Sequence, residues 1–113
     1  MKLKDVAEKL GLEVLTCRDK LEGEVSNGYA SDLLSDVIAN SREKNLWITL
    51  QTHQNIVAVA KLRDLAGIIL VNNRQPEELT LKKAEEEKVV LLATPRAAFE
   101  ISAQLYSLMK AGD

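Results

Sequence analysis

Cysteine, histidine, aromatic residues and any surplus of one charge are scarce in this chain, and each scarcity removes a class of protein. The 113 residues hold one cysteine, Cys17, which excludes an internal disulfide and a cysteine-bound metal cluster. The one histidine, His53, has no second ligand at metal-binding spacing. Aromatics amount to 4% (Tyr29, Trp47, Phe99 and Tyr106), so a core must be built from Leu, Ile, Val and Ala. The formal net charge is -2, and runs of base are answered by acid, as in Lys82-Lys83-Ala-Glu-Glu-Glu87. Nucleic acid, which calls for a basic face, is not an expected partner. No apolar run approaches the roughly 20 residues of a membrane span. Met1-Lys-Leu-Lys-Asp5 also lacks the apolar core of a signal peptide. The expectation is a soluble, cytoplasmic protein with no membrane partner.

Catalytic signatures are missing as well. There is no Gly-x-x-x-x-Gly-Lys-Ser/Thr loop and no Gly-x-Gly-x-x-Gly turn. No Ser-His-Asp set can be assembled. The chain reads as a non-enzyme without a cofactor or metal.

What is present is a regular alternation. The length suits a single domain, residues 1–113, able to bury a core without cross-links. Leu3, Val6, Ala7 and Leu10 recur at helical spacing, and Gly11 stops the helix. Val6-Ala-Glu-Lys-Leu-Gly11 could open a helix-turn-helix, but an acidic loop follows where a basic recognition helix is needed. Leu12-Glu-Val-Leu-Thr16 reads as a short strand, with another near Glu24-Val-Ser26. A helix is expected over 31–40, capped by Ser31 with Asp32 at its positive end. Its apolar face is Leu33, Leu34, Val37 and Ile38, and Asp32 and Asp36 share the other face.

Continuous apolar runs then begin at Leu46, Gly67 and Val89, the mark of strands buried on both faces. Helices are expected after each, over 54–64, 76–87 and 95–110, the last two with Pro76 and Pro95 in the first turn. Strand alternating with helix predicts an α/β fold with three α/β/α layers and a mostly parallel sheet. The helix Asn55-Ile-Val-Ala-Val-Ala-Lys-Leu-Arg63 is apolar nearly all round. It is expected to be sandwiched between the sheet and either the terminal helix or a second subunit.

Ligands of such sheets collect beyond the carboxyl ends of the strands. Those positions carry Gln51-Thr-His-Gln-Asn55, Asn72-Asn-Arg74 and Thr94-Pro-Arg96. Backbone N–H groups at the helix starts favour an anion there, and the same residue types also serve as turns and caps. Thr52, His53, Asn55, Asp36, Asn72 and Thr94 form the candidate ligand-binding set. His53 could be a phospho-acceptor, or a helix-entry residue bonded to nearby backbone. Asp32 and Asp36 could hold Mg²⁺ or be solvated surface. Cys17 follows a strand, as in thiol phosphocarriers, but lacks their Gly/Ser-rich loop and reads as a structural thiol.

Gly28-Tyr-Ala-Ser-Asp-Leu-Leu-Ser-Asp-Val-Ile-Ala-Asn40 and Trp47-Ile-Thr-Leu-Gln-Thr-His-Gln-Asn-Ile-Val-Ala-Val-Ala60 resemble the segments by which DRTGG domains are recognised. Val6-Ala-Glu-Lys-Leu-Gly-Leu-Glu-Val-Leu15 is similar to the start of the related N-terminal domain of HPr kinase/phosphorylase. The resemblance covers nearly the whole chain. It implies an HPr kinase N-terminal-domain-like fold, related also to the uridine-nucleotide-binding domains of Mur ligases. It further implies a regulatory or sensory role, often as a companion to catalytic domains, and a tendency to self-associate. The expectation for this chain is a stand-alone, non-catalytic regulatory domain that forms a homodimer. Val71-Asn-Asn-Arg-Gln-Pro76 stands where the family's naming string belongs, so no property of that glycine pair carries over. Kinase activity, which belongs to a separate phosphate-loop domain, does not carry over either. The expected partners are a small anionic ligand such as a nucleotide, a regulated enzyme and a second copy of the chain. Phosphotransfer through His53 and a pure dimeric scaffold are the alternatives.

Overall fold

The three continuous apolar runs become the central strands of one sheet, because only there can every side chain along them leave water. The computed structural model describes residues 1–111. In chain order it holds α1 (Leu3–Leu10), β1 (Glu13–Val14), β2 (Asn27–Ala30), α2 (Leu34–Asn40), β3 (Asn45–Thr49) and α3 (Asn55–Arg63). These are followed by β4 (Gly67–Leu70), α4 (Glu78–Glu87), β5 (Leu91–Ala93) and α5 (Ala98–Ala111). The strand order is β1-β5-β4-β3-β2. Strands β2 to β5 are parallel, with Gly28 opposite Leu46, Trp47 opposite Ile68 and Ile69 opposite Leu92. Edge strand β1 is antiparallel, Glu13 facing Ala93.

Alternation along the strands divides the core in two. Leu46, Ile48, Ile69, Val71 and Leu92 face α1 and α5, where they meet Val6, Leu10, Ile101 and Leu105. Trp47, Ile68, Leu70 and Leu91 face the opposite layer, meeting Val37 of α2, Ile56 and Val57 of α3, and Ala84 of α4. This is the three-layer α/β/α arrangement expected from the alternation of strand and helix. Among the described residues, no helix is long and apolar enough to cross a membrane.

The local signals that stop helices behave as read. Gly11 has φ 63° and its N–H reaches the Glu8 carbonyl, while the Leu12 N–H reaches Ala7. This paired closure requires a left-handed residue, which glycine adopts without strain.

Between 24 and 40 the structure departs from expectation. Glu24 makes only an isolated bridge with Lys2, and the strand lies instead at Asn27–Ala30. Asn27-Gly-Tyr-Ala30 has no β-branched residue, so its strand character comes from pairing with β3 rather than from propensity. Helix α2 starts at Leu34, not at 31, because the Ser31 hydroxyl accepts the Leu33 N–H at 3.2 Å in a turn before the helix. Asp32 is therefore outside α2 and does not share a helix face with Asp36. Helix α3 packs between α2 and α4 on one side of the sheet, and α5 lies across it. The terminal helix thus does not cover α3, and Leu62 at its end is 67% exposed.

Candidate functional site

Parallel strands put their carboxyl ends at one edge of the sheet, and the loops after β2, β3, β4 and β5 all emerge there. Helices α2, α3 and α4 return over one face, but α5 crosses to the other. The loops after β4 and β5 therefore diverge, which makes this the crevice where open α/β sheets hold ligands. In this chain its two lips are bonded together. The Asn72 N–H donates to the Arg96 carbonyl at 2.9 Å, and the Asn73 N–H to the Thr94 carbonyl at 3.0 Å. Both asparagines have φ 57°, a conformation Asn tolerates better than most side chains. Thr94 is buried, and its hydroxyl accepts the Arg96 N–H at 3.2 Å.

The loop between β3 and α3 carries Thr52, His53 and Asn55 to the same edge. The Thr52 carbonyl accepts the Thr80 hydroxyl at 2.7 Å and the Glu77 N–H at 3.3 Å, which ties this loop to the start of α4. His53 is exposed, and its Nδ1 accepts the Asn55 N–H at 3.1 Å. That bond covers one of the unpaired donors at the start of α3 and leaves the proton on Nε2 in the neutral ring. No carboxylate among the described residues is hydrogen-bonded to His53.

Asp36, in the first turn of α2, is engaged elsewhere. It accepts the Tyr29 hydroxyl at 2.8 Å and the Asn40 amide at 2.9 Å. The Tyr29 hydrogen bond, then that of Asn40, lowers the Asp36 carboxyl below its ordinary range. The same bond to Asp36 raises the Tyr29 phenol. Cys17 is buried against α4, its Sγ 3.6 Å from the Ala84 carbonyl, and burial first, then Glu85, pushes its thiol up. A thiol so placed stays protonated and is a weak nucleophile.

The structure thus carries Thr52, His53, Asn55, Asn72 and Thr94 along one edge, whereas Asp36 is turned to Tyr29 and Asn40. Sequence reasoning missed Asp32 as the organiser of this edge. Its carboxylate accepts the Thr49 hydroxyl and the Leu50 N–H, and its carbonyl accepts the Gln51 amide at 2.9 Å. An Asp just ahead of a helix reads as a cap, and nothing local shows that it turns toward a neighbouring strand. The groups at the edge are suited to binding: hydroxyls, amides, one imidazole and the N-terminus of α4, while at the start of α3 the Asn55, Ile56 and Val57 N–H groups are bonded to His53 and Gln54.

No family model matches the sequence, and no curated protein matches it. The fold is similar to a solved structure, that of the CBS and DRTGG domains of the regulatory region of Clostridium perfringens pyrophosphatase, complexed with the activator diadenosine tetraphosphate. The TM-score is 0.68 at 16% identity, over 92% of this chain and 45% of that one. The chain therefore spans less than half the length of that regulatory region, and what the two share is an α/β architecture.

Proposed function

We propose that this domain is a non-catalytic regulatory or sensory module of the DRTGG type. It binds a small anionic ligand, such as a nucleotide, at the carboxyl edge of its sheet, or presents that edge to a partner protein. The observation that carries the reading is the position of Thr52, His53, Asn55, Asn72 and Thr94 along one edge, beside two helix N-termini. The fold likeness to the regulatory region of an enzyme, solved with an activator bound, supports it. Thermal-shift screening against nucleotides and phosphorylated metabolites tests it. A ligand should raise the melting temperature, and Thr52→Ala or His53→Ala should reduce the rise. No shift with any compound removes the ligand half of the reading.

Self-association is supported by the outer edge of β2, which pairs with no strand among the described residues. Asn27–Ala30 carries neither charge nor proline to protect that edge. Ile38 and Tyr106, on the helices flanking it, are 38% and 61% exposed.

Phosphotransfer is the second reading, favoured by the exposed imidazole whose Nε2 has no hydrogen bond to a described residue. Incubation with phosphodonors followed by intact mass spectrometry decides it, since an unmodified His53 ends the idea.

A further inference from the structure

The last turn of α1 and the middle of α5 border an open cleft of about 540 Å³. Two cations line it, Lys9 and Arg96, together with the Gln104 amide and the Ser107 hydroxyl. Leu10 and Leu108 supply apolar surface beside them. Apart from Arg96, none of these residues belongs to the strand-end loops.

Three features of this cleft suit an anion. Arg96 is held in place: its Nη1 donates to the Leu10 carbonyl at 2.5 Å, one of the end carbonyls that the Gly11 closure leaves unpaired. A guanidinium has five N–H donors in a rigid fork, so this anchor leaves the Nε and Nη2 edge to pair with two oxygens of one oxyanion. Secondly, neither Lys9 nor Arg96 has a carboxylate of a described residue within 4.0 Å. Thirdly, the Gln104 Oε1 is buried with no hydrogen-bond partner. Buried polar atoms are rarely left so, and of the three in this state among the described residues, with Ser41 Oγ and Arg63 Nε, Gln104 Oε1 is the one on a residue that lines this cleft. A half-turn of the amide presents its NH₂ instead, so Gln104 can serve an acceptor or a donor on a ligand.

We propose that this cleft binds an oxyanion on a short apolar stem, a carboxylate or a phosphate monoester. Arg96 and Lys9 take the charge, Gln104 and Ser107 the remaining polar atoms, and Leu10 and Leu108 the stem. The inference rests on the reading of the domain as an anion binder. It adds a second grip, beside that of the strand ends, on the face covered by α1 and α5, where a ligand bridges the end of one helix to the middle of the other.

Amide and side-chain NMR of the full chain, titrated with inorganic phosphate, butyl phosphate and butyrate at roughly millimolar concentration, tests the site. The two butyl compounds distinguish the head groups, and inorganic phosphate shows what the stem adds. Expected are shifts at Lys9, Arg96, Gln104 and Ser107, with a butyl compound bound more tightly than inorganic phosphate. Lys9→Gln should weaken binding about tenfold, the loss of one charge-assisted hydrogen bond. Gln104→Leu should raise the melting temperature of the free protein, by removing the unpaired amide, while reducing the ligand-induced rise. A purely structural Gln104 would give neither change in that combination. Shifts confined to residues 52–55, 72 and 94 overturn the cleft and leave the anion-binding reading standing. No shift anywhere overturns both.

Discussion

One oxygen of the Asp32 carboxylate receives the Thr49 hydroxyl at 2.8 Å and, beside it, the Leu50 N–H at 2.7 Å. Thr49 ends β3 and is 1% exposed, so its hydroxyl has no water to fall back on. A loop residue after β2 thereby fixes where β3 stops and how the next loop, with Thr52 and His53, leaves the sheet. Asp32→Ala should cost about 1.5–3 kcal/mol, the range for hydrogen bonds to a charged acceptor whose loss leaves a buried group unpaired. Asp32→Asn, which keeps a carbonyl acceptor, should cost roughly half as much. Urea denaturation compares the two, and equal losses would mean that acceptor geometry is not what matters.

Thr16 does for the sheet edge what the two-residue β1 is too short to do. Its buried hydroxyl donates to the Val89 carbonyl at 2.7 Å and accepts the Leu91 N–H at 2.8 Å. Thr16→Val keeps the shape and orphans both backbone groups, so a loss of about 2–4 kcal/mol is expected. Thr16→Ser should recover most of it. Equal stability of the Val variant and the parent would show that water replaces the hydroxyl.

The pair Tyr29 and Asp36 should shape stability at both ends of the pH scale. The Asp36 carboxyl titrates below its unfolded value near 3.9, chiefly through the Tyr29 bond. Its contribution is therefore complete above that value and is lost as pH falls through the lower folded one. Tyr29 is raised above its unfolded value near 10 by Asp36. Its contribution is complete below that value and is lost as pH rises through the higher folded one. Tyr29→Phe should flatten both limbs of the urea midpoint against pH. An acid limb unchanged in the variant would assign the Asp36 shift to Asn40 instead.

If β2 pairs with β2 of a second copy, light scattering should give the mass of two chains at micromolar concentration. Ile38→Lys with Tyr106→Glu should shift the protein toward one chain that keeps the parent's circular dichroism spectrum, because both side chains are exposed in the single subunit. A single-chain mass for the parent protein would remove the dimer.

Much of the fold can be read in the sequence, for identifiable reasons. The runs at Leu46, Gly67 and Val89 are short, continuous and bounded by turn residues, as strands covered on both faces are. Gly11 marks a helix end in one residue. Strand β2 was not legible, because Asn27-Gly-Tyr-Ala30 looks like a turn until β3 offers it a ladder. The edge residues Thr52, His53 and Asn72 could be located by counting, but not what their atoms bond to. The cleft between α1 and α5 was invisible, since Lys9 and Gln104 lie far apart in the chain and each looks like ordinary surface.

The sequence by itself determined the layers: hydrophobic burial acts on every residue of a run and is legible in its period. Only the tertiary structure decided the roles of single polar groups. Asp32 became a fastener of β3, Asp36 a partner of Tyr29, and Arg96 a bridge to the Leu10 carbonyl. A hydrogen bond depends on the position of one donor against one acceptor to within a few tenths of an ångström. That distance is set by the packing of distant elements rather than by any residue's neighbours in the chain.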